Sequence, residues 1–287
     1  MSKYVCFRFD VDTHRCLRQG VPPLLELART LNVPFTFFVN MGRAVSQWDS
    51  CRRLLGVAPA HQVERITRLP TLHKLGLRDY LVAALLNPRV GVSQPQVLRA
   101  IHAAGHEIGL HGGYNHATWQ ARGARWPVAR LRAEIAWGLA QLQAAGIGHP
   151  AAFASPGWQG SEALHDVLAS LDFAIVADAH GDGLEAIGQV NGHPCLRTVP
   201  TNIVGEPGGV GYLEHLRASG LSRDAAMDDF ARRLAGTQRL AVVYDHPCVA
   251  GLALLPLVRS LIDIARSLGC EIVTISDAVQ RLASGPP

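Results

Sequence analysis

The feature that most narrows the fold is a rhythm. Short β-favouring runs (4–9, 35–39, 107–110, 151–154, 173–176, 196–199, 240–244 and 271–274) alternate with longer helical stretches (21–31, 97–104, 128–145, 161–171, 223–235 and 254–268). Gly105, Gly146 and Gly269 stand just past three of the stretches, where helices commonly stop. Strand, helix and strand in repetition imply a parallel sheet with right-handed crossovers. Seven or eight such strands close most naturally into a barrel, and 287 residues suit one α/β domain over 1–287. Residues 43–95 break the rhythm with several basic residues, a turn at Leu69–Thr71 and an apolar patch at 80–86. They are expected to be an insertion of short helices near the barrel mouth, either a cap over the core or a lid that recruits an anionic amphiphile. Gly205–Gly211 is a second irregular loop expected at the rim.

Composition removes some alternatives. With 48% hydrophobic residues the chain can bury a large core, yet its longest apolar runs fall well short of the ~20 residues that span a bilayer. The N-terminus lacks the basic and apolar regions of a signal peptide, so the expected compartment is the cytoplasm. Cys6, Cys16, Cys51, Cys195, Cys248 and Cys270 are scattered without a C-x-x-C pair and read as free thiols, often buried as small hydrophobes. Net charge is +4, but residues 1–125 carry +9 and residues 126–287 carry −5. That asymmetry suggests an anionic partner for the N-terminal half. The basic residues form no aromatic-interleaved stripe, so nucleic acid is not an expected partner.

In a barrel of parallel strands, chemistry collects at the C-terminal strand ends. Those ends read Asp10 and Asp12, Asn40, His111, Ser155-Pro156-Gly157-Trp158, Asp178, Pro200, then Asp245 and His246. Residues two apart on a strand share a face, so Asp10 and Asp12 aim at one spot, where a cation or a shared proton must relieve their repulsion. His111 and His116 follow the next chemically loaded strand. Five residues of regular helix would turn the two imidazoles about 140° apart, but the two glycines between them allow a loop to fold back. Two histidines and a carboxylate can hold Zn²⁺ or a similar ion with one position left open.

Together, Phe9-Asp10-Val11-Asp12, Gly105-His106-Glu107-Ile108-Gly109-Leu110-His111…His116, a Pro-Gly-Trp element and a late strand ending in His246 resemble the motifs of the NodB-type polysaccharide deacetylases. That resemblance implies an incomplete (β/α)7 barrel and a metal-dependent amide hydrolase acting on N-acylated sugars. Further stretches (Asp10-Val-Asp-Thr-His-Arg…Gly20-Val-Pro, Asn40-Met-Gly-Arg43, Gly109-Leu-His, Trp119-Gln-Ala-Arg122…Trp126 and the 43–95 insertion) are most similar to the branch that deformylates 4-deoxy-4-formamido-L-arabinose on undecaprenyl phosphate, in the lipid A aminoarabinose pathway. By that likeness Asp12, His111 and His116 bind the metal, with Zn²⁺ expected and Mn²⁺, Co²⁺ or Ni²⁺ as alternatives. Asp10 is the general base, His246 the general acid, and Asp178 the carboxylate behind His246. Pro156, Trp158, Trp119, Arg15 and Arg43 are the candidate substrate contacts, with Arg18 and Arg122 further phosphate candidates, and peripheral contact with the inner membrane would run through residues 43–95.

Three departures from the family pattern stand out. The histidine pair is one residue longer than H-x-x-x-H, and no Arg precedes Pro156 to orient the base. Pro247 follows His246, leaving open whether formyl or acetyl is the acyl group. Arg8 lies two residues before Asp10 on the same face, and is either a substitute for the missing Arg or an inward structural ion pair. The alternatives are a deacetylase of a soluble or polymeric N-acetyl amino sugar, and an inactive glycan-binding relative.

Overall fold

The computed structural model describes residues 3–46, 79, 81–180, 187–205 and 209–283. Its strands are β1 (Tyr4–Val11), β2 (Thr36–Val39), β3 (Glu107–His111), β4 (Ala152–Ala154), β5 (Ile175–His180), β6 (Gly188–Val190), β7 (His193–Thr201), β8 (Leu240–Asp245) and β9 (Glu271–Ile272). They form one sheet in the order β6-β7-β5-β4-β3-β2-β1-β8, with β9 also on β1. Every pairing is parallel except the β6–β7 hairpin.

The sheet curls until the end of β7 meets β8, but that seam is thin. Ile203 bridges Val243, while the Asn202 side chain donates to Leu240 O and accepts from Val242 N–H. The seven parallel strands of that path, with β9 added on β1, therefore make an incomplete, distorted (β/α)7 barrel, as the resemblance implied. The helices are α1 (Val21–Leu31), α2 (Pro95–Ala103), α3 (His116–Arg122), α4 (Val128–Ala144), α5 (Leu164–Ala169), α6 (Tyr212–Ala218), α7 (Arg223–Gly236), α8 (Pro247–Ala250), α9 (Leu255–Ser267) and α10 (Ile275–Ala283).

The two faces of β1 show how the fold positions its chemistry. Val5, Phe7, Phe9 and Val11 face the helices, where Phe7 and Phe9 meet Phe35 edge-on at 5.8 and 5.3 Å. Fully burying such a ring contributes roughly 2 kcal/mol. The alternate residues, beginning with Cys6, face the barrel interior with Phe38, Ala154, Ala177 and Val242. Arg8 and Asp10 continue that inward row toward the C-terminal mouth.

α1 opens on Pro22 and Pro23, buries Val21, Leu24, Leu27 and Ala28 at helical spacing, and stops where Asn32 takes φ 50°. Several elements lie outside the sequence-based expectation. They are α3, α6, α8 and the three-residue β6, which are too short to show a period of their own, and the nine-residue α10, whose buried Ile275 and Ala278 follow β9 closely. The turn at 69–71 and most of the 43–95 insertion lie outside the described residues. Its described edges are tied together: Arg43 donates to Asn87 O at 2.5 Å, and Asn87 Nδ2 donates to Val45 O. Among the described residues no helix is long and apolar enough to cross a membrane.

Candidate active site

At the barrel mouth β1 offers two carboxylates with different neighbours. Asp10 is gripped by the Arg8 guanidinium in a two-pronged bond, Nε to Oδ1 and Nη2 to Oδ2, each 2.9 Å. Arg8 is fully buried and spends Nη1 on Ala177 O (2.6 Å) and Thr201 Oγ1 (2.9 Å). Both sequence-based alternatives for Arg8 therefore describe one arrangement: an inward ion pair that also fixes the orientation of Asp10.

Asp12 instead meets imidazoles. Its Oδ1 lies 3.3 Å from His111 Nε2 and 3.2 Å from His116 Nε2, and its Oδ2 lies 3.2 Å from His246 Nε2. Burial alone would raise its carboxyl, but His116, His246 and His111 together hold it well below the usual carboxylate range. The His111 ring shifts the other way. Burial would lower its pKa, and Asp10 and Asp12 outweigh that and raise it.

The long histidine spacing is resolved by the loop. His111 ends β3, Gly112 takes φ 76°, and His116 is the first residue of α3, whose N-cap Asn115 accepts from Thr118 N–H. The glycine at 112 is required twice over, since a Cβ there would also sit 2.6 Å from Pro156 Cγ. The rings end 5.1 Å apart. His111 Nδ1 faces Ala154 O at 2.9 Å; donation there leaves the Nε2 lone pair pointing into the site.

These residues fit a divalent cation. One donor atom each from Asp12, His111 and His116 lies within 4.8 Å of the others. Asp12 Oδ1 and His116 Nε2 are shut from water and make no hydrogen bond among the described residues. Their closeness is that of groups facing a shared space rather than bonding to each other. The donor set, one carboxylate and two imidazoles, suits Zn²⁺ and several neighbouring ions.

His246 follows β8. Its Nε2 lies 3.1 Å from the Tyr244 hydroxyl, and its backbone N–H donates to Asp245 Oδ1 at 2.6 Å. Asp245 also accepts from Glu214 N–H, and burial pushes its carboxyl up to about 6. Asp178, expected behind His246, is instead taken by the turn after β4. Ser155 N–H donates to its Oδ1 at 2.7 Å and Ser155 Oγ–H to its Oδ2 at 2.6 Å. The His246 ring has Asp12 Oδ2 at 3.2 Å instead.

The surrounding cavity holds about 300 Å³ and is lined by Asp10, Asp12, His111, His116, Trp158, Tyr244 and His246, with Cys16, Cys248 and Glu214 in its wall. Gly209 and Val210 also line it, as expected of a rim loop, and Ala44 and Val45 bring the start of the 43–95 insertion to its edge. Trp158 reaches in from the Pro156–Trp158 turn with φ 54°, packing against His180 at 4.4 Å and edge-on to Tyr244 at 4.9 Å.

The other proposed contacts sit elsewhere. Trp119 is a core residue, fully buried, with its indole N–H on Gln159 O and its ring against Trp126 and Phe153. Its place on the inner face of α3 explains this. Pro156 is buried beneath the Gly112 loop rather than lining the cavity. Arg15 borders a separate small cleft, 3.8 Å from Asp79, and Arg43 braces the insertion through Asn87. Sequence reasoning missed Tyr244, Cys16, Cys248 and Glu214 as site neighbours. For the first three a signal was present, since each lies within four residues of a chemically loaded strand end.

A carboxylate from β1 beside two imidazoles from the β3 loop, set in the mouth of an incomplete barrel, defines a family as well as a site. The chain belongs to the polysaccharide deacetylase family, whose model matches residues 1–176. A Shewanella sediminis (strain HAW-EB3) protein, provisionally named 4-deoxy-4-formamido-L-arabinose-phosphoundecaprenol deformylase ArnD, is 32% identical over 188 residues, 63% of this chain. The match spans 58% of that relative's length. A Mycobacterium smegmatis structure provisionally described as a polysaccharide deacetylase has TM-score 0.63 at 21% identity, covering 98% of this chain and 91% of that one. A Bacillus anthracis CE4 family pseudoenzyme has TM-score 0.58 at 12% identity, covering 97% of this chain and 66% of that one. At these identities the two structures speak for the fold alone.

Proposed function

We propose that this chain is a metal-dependent amide hydrolase. It removes a formyl or acetyl group from an N-acylated amino sugar, with lipid-linked 4-deoxy-4-formamido-L-arabinose on undecaprenyl phosphate as the preferred candidate. The observation that carries this reading is the convergence of Asp12, His111 and His116 beside an Arg8-clamped Asp10 and an inward-facing His246. The reading treats residues 1–287 as one catalytic unit.

Asp12, His111 and His116 would hold the cation, which when bound acidifies water and polarises the scissile carbonyl. Asp10 accepts the proton of the attacking water, its orientation set by both prongs of Arg8. His246 carries a proton to the departing sugar amine. Tyr244 Oη and Asp12 Oδ2, at 3.1 and 3.2 Å from Nε2, hold its ring in place. The Trp158 indole forms a flat apolar wall on which a sugar face can rest. The resemblance to the ArnD relative favours formyl, and the exposed Leu85 and Leu86 within the insertion, each 71% accessible, suit peripheral contact with a lipid-borne substrate.

The test compares formate with acetate release from matched N-formyl and N-acetyl amino sugars, before and after chelation and Zn²⁺ return. Metal-dependent formate release is expected. Acetate release alone would shift the reading to a deacetylase. Binding of both sugars with release of neither by the Zn²⁺-loaded protein would overturn hydrolysis in favour of a glycan-binding relative.

A further inference from the structure

Two cysteines that the proposed reaction does not use share the cavity wall. Cys16 is fully buried and Cys248 is 8% exposed, and both line the cavity. Cys16 begins the π-helical turn Cys16–Gly20, which follows Asp12, while Cys248 lies in α8 just after His246. Thr13 Oγ1 donates to the Cys16 sulfur at 3.2 Å and accepts from Cys16 N–H at 3.2 Å, and the Cys248 side chain is close enough to pull the Cys16 thiol down.

The backbones of the two segments press together without side chains between them. A Cβ on Gly20 would lie 2.3 Å from Pro247 O, and one on Gly251 would lie 2.0 Å from Gly20 O. The same Gly20 Cβ would lie 2.9 Å from Cys248 N, so the backbone that carries Cys248 rests on the turn that begins with Cys16. Elsewhere, Cys6 is inside the barrel with its thiol on Thr274 O, Cys270 is buried, and Cys195 is exposed; all are free.

We infer that Cys16 and Cys248 form a reactive dithiol that hydroperoxides convert to an intramolecular disulfide, a modification site tying the Asp12 loop to the His246 loop. Reactivity belongs to the thiolate. Burial and the charge of Asp12 would raise the Cys16 thiol, but the Cys248 side chain, the charge of His246 and the Thr13 hydroxyl outweigh them and bring it down to about 6. In the first step the Cys16 thiolate attacks hydrogen peroxide. The O–O bond breaks, Cys16 becomes a sulfenic acid, and hydroxide leaves and takes a proton from solvent. In the second step the Cys248 sulfur attacks the sulfenic sulfur. The S–S bond forms, the S–O bond breaks, and the departing hydroxide takes the Cys248 proton as water. Two thiols lose two electrons, and one peroxide becomes two waters. The sulfurs close to ~2.05 Å, tying the two loops together.

The test uses the full chain, reduced, freed of reductant, titrated with hydrogen peroxide and digested with trypsin without reductant. It needs no turnover, so it is independent of the reaction proposed above. The expected product is the peptide 16–18 joined to the peptide 240–259, in the majority of chains and lost on adding dithiothreitol. Recovery of both cysteines unlinked, or of either joined instead to Cys6, Cys51, Cys195 or Cys270, overturns the inference. In a Cys248→Ala variant, shown folded by its circular dichroism, the Cys16 sulfenic acid persists and dimedone labelling at Cys16 rises several-fold over wild type. Equal labelling overturns Cys16 as the first sulfur oxidised and Cys248 as the one that resolves it. Should that variant not fold, Cys248→Ser gives the same reading.

Discussion

Asp10 and Asp12 are the same residue, two positions apart on one strand face, yet they inhabit different halves of the mouth. Asp10 is 3% exposed and bound to a guanidinium with no proton to give up, while Asp12 is more open and ringed by three imidazoles. The difference teaches that role follows the second partner. A carboxylate fixed by a permanent cation is oriented for one proton transfer, whereas one facing imidazole lone pairs can share an ion.

The largest effect should come from breaking the Asp12 half. Removing metal with a chelator, or changing His111→Ala, should abolish hydrolysis, with zinc content per chain falling in parallel by metal analysis. Breaking the Asp10 half should separate the two. Asp10→Asn is expected to lower kcat by about 10²- to 10⁴-fold while zinc is retained. If zinc is lost as well, the division between the carboxylates fails.

Arg8→Met leaves a buried carboxylate without its counter-charge and should cost about 3–5 kcal/mol in urea unfolding, whereas Arg8→Lys should recover part of the stability but little of the rate. Tyr244→Phe removes one hydrogen bond to His246, worth about 1 kcal/mol, so kcat should fall about fivefold.

A pH effect separates the two imidazoles of the β3 segment. Burial lowers His106 to about 4, and its Nδ1 accepts from Phe35 N–H. Between its ordinary 6.5 and about 4 the unfolded chain takes a proton that the folded chain refuses. Stability should therefore fall as pH drops through that window, by on the order of 2 kcal/mol, and His106→Gln should flatten the loss in pH-dependent melting.

Much of this was legible because strand period is short and strict. Phe7 and Phe9 outward with Arg8 and Asp10 inward follow from alternation alone, and the Gly112 loop between the histidines announced that His111 and His116 could meet. What stayed hidden depended on long-range partners. Nothing local says that Ser155, 23 residues away, takes both oxygens of Asp178. Nor does a seven-residue helix reveal that Trp119 faces Phe153 rather than a sugar. Scattered spacing is enough to read the cysteines as free and mostly buried, but only the approach of Gly20 to Pro247 brings two of their segments together at one cavity.

The left-handed backbone of Trp158 has one last consequence. Glycine would adopt φ 54° without penalty, whereas a tryptophan there costs of order 1 kcal/mol, so the indole is kept against the preference of its own peptide unit. Position 158 is thus a place where stability and utility pull in opposite directions. Trp158→Gly would ease the main chain and strip the wall from the cavity in the same stroke.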